Sequence, residues 1–126
     1  MTNQLGPGSR ILIVEDQVII AMDAETLLKK HGVGTIDSAM TNEEALGFIA
    51  AARPDAAVLD FSLGQTTSIP VAKALKELGV PFVFATGFDD QSDIPRDLAG
   101  APIVGKPYSG EELVAGLNQA IAQSIS

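Results

Sequence analysis

Short apolar runs alternate with longer amphipathic stretches from residue 10 onward. Residues 10–14 (RILIV) are nearly all apolar and rich in β-branched side chains, the pattern of a strand buried on both faces of a parallel sheet. Residues 18–31 have helical spacing. Ile19, Met22 and Leu27 share a face, Ile20 and Leu28 lie beside it, and Gly32 follows as a C-terminal cap. Residues 34–39 read as a weaker second strand. Thr41 and Glu44 form a capping box that opens a helix through residue 51. Residues 56–59 predict the third strand, and 71–78 a helix stopped by Gly79. Residues 81–86 (PFVFAT) predict the fourth strand and 102–105 the fifth. A second capping box, Ser109 with Glu112, opens a last helix to about residue 123.

Strands alternating with helices of this length imply βα units and a parallel sheet. The expected fold class is α/β, a flavodoxin-like (βα)5 doubly wound parallel sheet of strand order 2-1-3-4-5. One segment resists the pattern. Residues 89–100 should hold the fourth helix, yet they contain Pro95, Gly100 and the acids Asp89, Asp90, Asp93 and Asp97, so a short or mobile helix is expected. Residues 1–9 are polar around Gly6-Pro7-Gly8 and read as a flexible lead-in to a domain of residues 10–126. This Gly-Pro-Gly precedes the first strand, so it is not a dinucleotide fingerprint, which must follow one.

Composition narrows the function. A chain of 126 residues suits one domain. With 46% apolar and 19% charged residues it is not intrinsically disordered. Eight basic against 16 acidic residues give a net charge of −8, which argues against nucleic acid, whose phosphates need a basic stripe. The absence of cysteine excludes disulfides, a thiol nucleophile and cysteine zinc sites, and a single histidine excludes clustered-histidine metal sites. No apolar run approaches the ~18 residues of a membrane span, and the N-terminus lacks a signal pattern. A cytoplasmic domain with no membrane contact is expected.

In open α/β sheets, ligands bind beyond the carboxyl ends of the strands. There the first expected strand meets Glu15-Asp16, the third Asp60, the fourth Thr86, and the fifth runs into Lys106-Pro107. The predicted order makes those four strands contiguous. Clustered carboxylates repel one another unless a cation is present. An all-oxygen set favours a hard divalent ion, and Mg2+ leaves room for phosphate oxygens. A carboxylate can also act as a nucleophile and form an acyl phosphate. Lys106 and Thr86 are suited to bind the phosphoryl oxygens.

ILIVED (residues 11–16), AAVLD (56–60), FVFATG (82–87) and GKPY (105–108) occur in this order and spacing. Together they resemble the receiver domain of two-component response regulators, over about nine-tenths of the chain. FATG followed by Phe88 further resembles the FAT-GUY subgroup of stand-alone receivers, often linked to kinases of the HWE/HisKA2 type. The resemblance implies a role for each matching residue. Asp60 is the expected phosphoacceptor. Asp16 binds Mg2+ directly, Glu15 through water, and the backbone carbonyl of Ser62 supplies a further ligand. Thr86 bonds the phosphoryl group and acts as a switch, and Lys106 ion-pairs with the acceptor site. Pro107 commonly follows that lysine through a cis bond. The donor is a histidine kinase or phosphotransfer protein, and the signal leaves through contact with a downstream protein or by phosphate relay. Only a few residues follow the last helix, so no output domain is expected. Kinase choice is expected on the first helix and the following βα loops.

Two departures bear on the switch. The position three before Lys106, often aromatic in the family, is Ile103. Phe88, Tyr108 or the segment 86–100 is expected to carry the change instead. Ser62 and Phe88 occupy positions that tune phosphoryl lifetime. Two other classes compete. An aspartyl phosphatase usually needs a second acid two residues after its nucleophile, where this chain has Ser62. A degenerate receiver would bind partners independently of phosphorylation, without need of the full acidic set. The reading is therefore a switch that catalyses its own phosphorylation and slow dephosphorylation, not a turnover enzyme. Outside the set, His31 reads as a helix-end residue favoured by the macrodipole, and the acids of 89–97 as a solvated loop.

Overall fold

A computed structural model describes residues 5–87 and 94–125. Strands β1 (Arg10–Val14), β2 (Thr35–Ala39), β3 (Ala56–Asp60), β6 (Phe82–Thr86) and β7 (Ile103–Gly105) form a five-stranded sheet of order β2-β1-β3-β6-β7. Every neighbouring pair is parallel. Two-residue strands β4 (Ser62–Leu63) and β5 (Thr66–Thr67) make a separate antiparallel hairpin. Apart from that hairpin, the strand order is the expected doubly wound one.

Side chains alternate across the sheet and build a core on each face. Leu12, Val14, Leu59 and Phe84 pack on one side with helices α2 (Asn42–Ala51) and α3 (Ile69–Leu78). Ile11, Ile13, Val58 and Val83 pack on the other with α1 (Val18–Lys30) and α4 (Gly110–Ile125). Phe84 is fully buried and meets Phe61 and Phe82 edge-on, with ring centroids 5.6 and 5.5 Å apart. The helix starts follow the capping logic. Thr41 Oγ1 accepts from the Glu44 N–H, and Ser109 Oγ from the Glu112 N–H, each at 3.1 Å. Glu112 Oε1 returns the bond to the Ser109 N–H at 3.0 Å. Pro70 sits in the first turn of α3, where its missing N–H has no intrahelical partner to lose.

Two local expectations are corrected. The inward face of α1 is Ala21, Ala24 and Leu28, while Ile19 and Met22 are 75% and 61% exposed. Small alanines let the helix axis approach the sheet, and the bulky apolar residues turn outward. The lead-in is packed over residues 5–9. Leu5 is buried in the α1–α4 core and Ser9 Oγ donates to the Gly6 carbonyl at 2.6 Å. A Cβ on Gly34 would collide with the Pro7 carbonyl, so this glycine admits the lead-in backbone. Residues 1–4 lie outside the described residues. Of residues 89–100, where a short or mobile helix was expected, the described part, residues 94–100, holds a single 3-10 turn, Arg96–Leu98. Leu98 plugs the α2–α3 core and Lys76 Nζ donates to the Asp97 carbonyl at 2.6 Å.

Candidate functional site

The register of the sheet sets the site. Val14 pairs with Leu59, Asp60 with Ala85, and Thr86 with Gly105. One residue past the Val14–Leu59 pair, neighbouring strands carry Glu15 level with Asp60, and Lys106 leaves β7 two residues beyond that level. The side chains converge. Lys106 Nζ lies 3.0 Å from Asp60 Oδ2 and 3.3 Å from Glu15 Oε1. Carboxylate oxygens of Glu15, Asp16 and Asp60 lie within 4.8 Å of one another. Glu15 and Asp60 are only 3% and 4% exposed, so their charges face one another with little water between. Glu15 Oε2 also accepts the Gln17 N–H at 3.1 Å.

One ammonium cannot offset three carboxylates. Burial, with Asp60 alongside, holds the Glu15 carboxyl above its ordinary value. Desolvation and Glu15 together raise Asp16. Burial pulls the Lys106 ammonium down, but Asp60 and Glu15 outweigh it and leave lysine firmly charged. Thr86 is 1% exposed, and its Oγ1 has no hydrogen-bond partner among the described residues. An unpaired buried hydroxyl carries a desolvation penalty that an acceptor would remove.

These observations fit a divalent cation and an oxyanion. The donors are all oxygen, which suits a hard ion such as Mg2+. A cation relieves the repulsion that lifts Glu15 and Asp16, and the Thr86 hydroxyl is left with a hydrogen bond to give. The cluster is one that could bind a metal.

The remaining expected residues fall around it. Ser62 opens β4, two residues after Asp60. The Lys106–Pro107 peptide is cis. Tyr108 is half-buried, and burial with the nearby charges of Glu15, Asp60 and Asp23 pushes its phenol up to about 12. It lines a groove of about 620 Å3 beside Lys106, with Ile20, Asp23, Leu27 and Pro107. Phe88 lies outside the described residues.

Two features escaped sequence reasoning. The β4–β5 hairpin stands directly after the acidic strand end, and a Cβ on its Gly64 would lie 3.5 Å from Asp16 Oδ2. Asn42, at the start of α2, reaches the hairpin through Nδ2, which donates to the Thr67 carbonyl at 2.9 Å. The only sequence signal for the hairpin is Gly64, whose φ of +72° favours glycine.

A family model described as the response regulator receiver domain matches residues 11–118. The chain belongs to that family. Among similar receiver-containing proteins is the transcriptional regulatory protein PdtaR of Mycobacterium tuberculosis, 26% identical over 90% of this chain and 57% of that protein. The phyllosphere-induced regulator PhyR of Methylorubrum extorquens is 30% identical over 90% of this chain and 44% of its own length. The chain thus spans about half the length of the curated relatives it matches. The solution structure of SdrG from Sphingomonas melonis Fr1 superposes with a TM-score of 0.75 at 34% identity, covering 94% of this chain and 97% of that one. No helix among the described residues is long and apolar enough to cross a membrane.

Proposed function

We propose that this receiver is a phosphorylation-dependent switch in which Asp60 accepts a phosphoryl group, in a Mg2+-dependent reaction, from a histidine kinase or phosphotransfer protein. The observation that carries the reading is the Lys106 ammonium, 3.0 Å from Asp60, inside a cluster of three carboxylates at the strand ends. An Asp60 carboxylate oxygen attacks phosphorus. The O–P bond forms as the P–N bond of the phosphohistidine breaks, and the imidazole keeps the electron pair and takes up a proton. Lys106 fixes Asp60 and bonds the transferred group, and the Thr86 hydroxyl gains the acceptor it lacks. Glu15, Asp16, Asp60 and the Ser62 carbonyl are the residues that would hold Mg2+, which supplies positive charge for the phosphoryl oxygens when bound.

The product is an acyl phosphate on the chain itself, so the domain is a switch and not a turnover enzyme. Phosphorylation biases a two-state element. We assign that element to residues 86–100, with Phe88 and Tyr108 on the surface that a downstream protein reads. The FATG segment supports assignment to the FAT-GUY subgroup and a donor kinase of the HWE/HisKA2 type. A cytoplasmic location goes with this reading.

Intact-mass measurement after incubation with acetyl phosphate tests the chemistry. One phosphoryl adduct is expected with Mg2+, none without it, and none in Asp60→Asn. An adduct that persists in Asp60→Asn would assign the acceptor elsewhere.

A further inference from the structure

The β4–β5 hairpin is too short to hold itself, since isolated hairpins are marginal even with longer strands. Ser62 pairs with Thr67 and Leu63 with Thr66. Leu63 anchors the apolar side in the α2–α3 core. At the root, the Ser68 N–H donates to the Phe61 carbonyl at 3.0 Å and Thr67 Oγ1 accepts from the Ile69 N–H at 3.4 Å. Those bonds are local. The bond from Asn42 Nδ2 to the Thr67 carbonyl spans 25 residues and ties the hairpin to α2.

The tethered element borders the acidic site at two points. Ser62, in its first strand, lies two residues from Asp60. Gly64, at its tip, lies against Asp16. Displacing the hairpin would move both. Asn42 itself is poorly suited to a purely stabilising role. Its Oδ1 is buried without a partner, as is Ser68 Oγ beside the same peptide unit. An unmet buried acceptor costs at least as much as a neutral hydrogen bond contributes. The acceptor end of the Asn42 amide therefore offsets the donor end in global stability, and what remains is the placement of β5.

We propose that Asn42 is a positioning residue for the acidic site, holding the β4–β5 hairpin so that Ser62 and Gly64 keep their places beside Asp60 and Asp16. This rests on reading the cluster as a cation and phosphoryl site. Asn42→Ala removes both ends of the amide, and Asn42→Asp keeps the shape but loses the donor.

Amide hydrogen exchange and Mg2+ titration on wild type and both variants test it. Both variants should keep the wild-type protection of β1, β3 and α4. The Ser68 amide and the hairpin amides should exchange about fivefold faster, the worth of one neutral bond. Mg2+ should bind about tenfold more weakly, the low end for outer partners of metal ligands. Unchanged hairpin exchange, or unchanged Mg2+ affinity where wild type binds the ion, would overturn this inference alone. Protection lost evenly through the whole domain would show a merely structural residue and also overturn it. A wild type that binds no Mg2+ would overturn the reading of the site, and this inference with it.

Discussion

In the body of the sheet, Val14, Leu59 and Phe84 have no exposed surface and pack within one apolar cluster. At the amino end, the Arg10 N–H donates to Asp55 Oδ2 and the Arg10 guanidinium meets Asp37, both at 2.7 Å. One residue beyond the body, at the carboxyl end, burial is just as deep but the demands are unmet. Glu15 and Asp60 share one lysine, and Thr86 Oγ1 has no partner. The same backbone thus serves two purposes. Apolar burial along the strands stabilises the fold, and the strand ends hold buried charges and a hydroxyl that the fold leaves partly unmatched.

The contrast is broken most severely in the body. Phe84→Ala should cost about 3–5 kcal/mol, the usual range for an aromatic core truncation, because the ring is fully buried between Phe61 and Phe82. Urea unfolding reads this directly. A loss below about 1 kcal/mol would mean the core around it is not packed as described.

At the carboxyl end the sign should reverse. Glu15→Gln removes a charge that burial and Asp60 disfavour, so without Mg2+ it should raise stability, on the order of 0.5 kcal/mol at neutral pH. The pH dependence follows from the same groups. Glu15 and Asp16 are raised above their ordinary 4.5 and 3.8, so the folded state binds their protons more tightly than the unfolded chain. Their contribution to stability is fully present below the ordinary values and is lost as pH rises through the raised ones. Mg2+ needs the ionised forms, so its affinity should fall over the same window on acidification. Unfolding midpoints in that range, with and without Mg2+, should therefore move in opposite directions. Parallel movement would contradict a shared set of carboxylates.

The smallest effect on the fold is expected at Thr86. Thr86→Val replaces an unpaired buried hydroxyl with a methyl, and stability should stay within about 0.5 kcal/mol. The phosphorylation-dependent change in partner binding or chemical shifts should nevertheless disappear. A large destabilisation would mean the hydroxyl is already engaged in the resting fold.

The strands and capping boxes could be read from the chain because β-branched runs and Ser or Thr caps act locally. The acidic cluster could be read because a parallel sheet brings the carboxyl ends of contiguous strands together, which places Glu15, Asp16, Asp60, Thr86 and Lys106 at one end of the sheet. The inward face of α1 could not, because Val18, Ile19, Ile20, Ala21 and Met22 are consecutive apolar residues and periodicity does not choose among them. Close approach to the sheet chose the alanines. Leu5 is a lone apolar residue whose burial depends on a groove that exists only after folding. Asn42 and the β4–β5 hairpin have no period to detect, since each of those strands has two residues.

The most direct test of the contrast between sheet body and strand ends is an NMR titration of the metal-free domain with Mg2+. The account predicts one saturable site. Signals of Glu15, Asp16, Asp60 and Lys106 should move, while those of Leu5, Ser9 and Arg10 at the far end stay fixed. No saturable binding, or shifts spread equally over both ends, would contradict it.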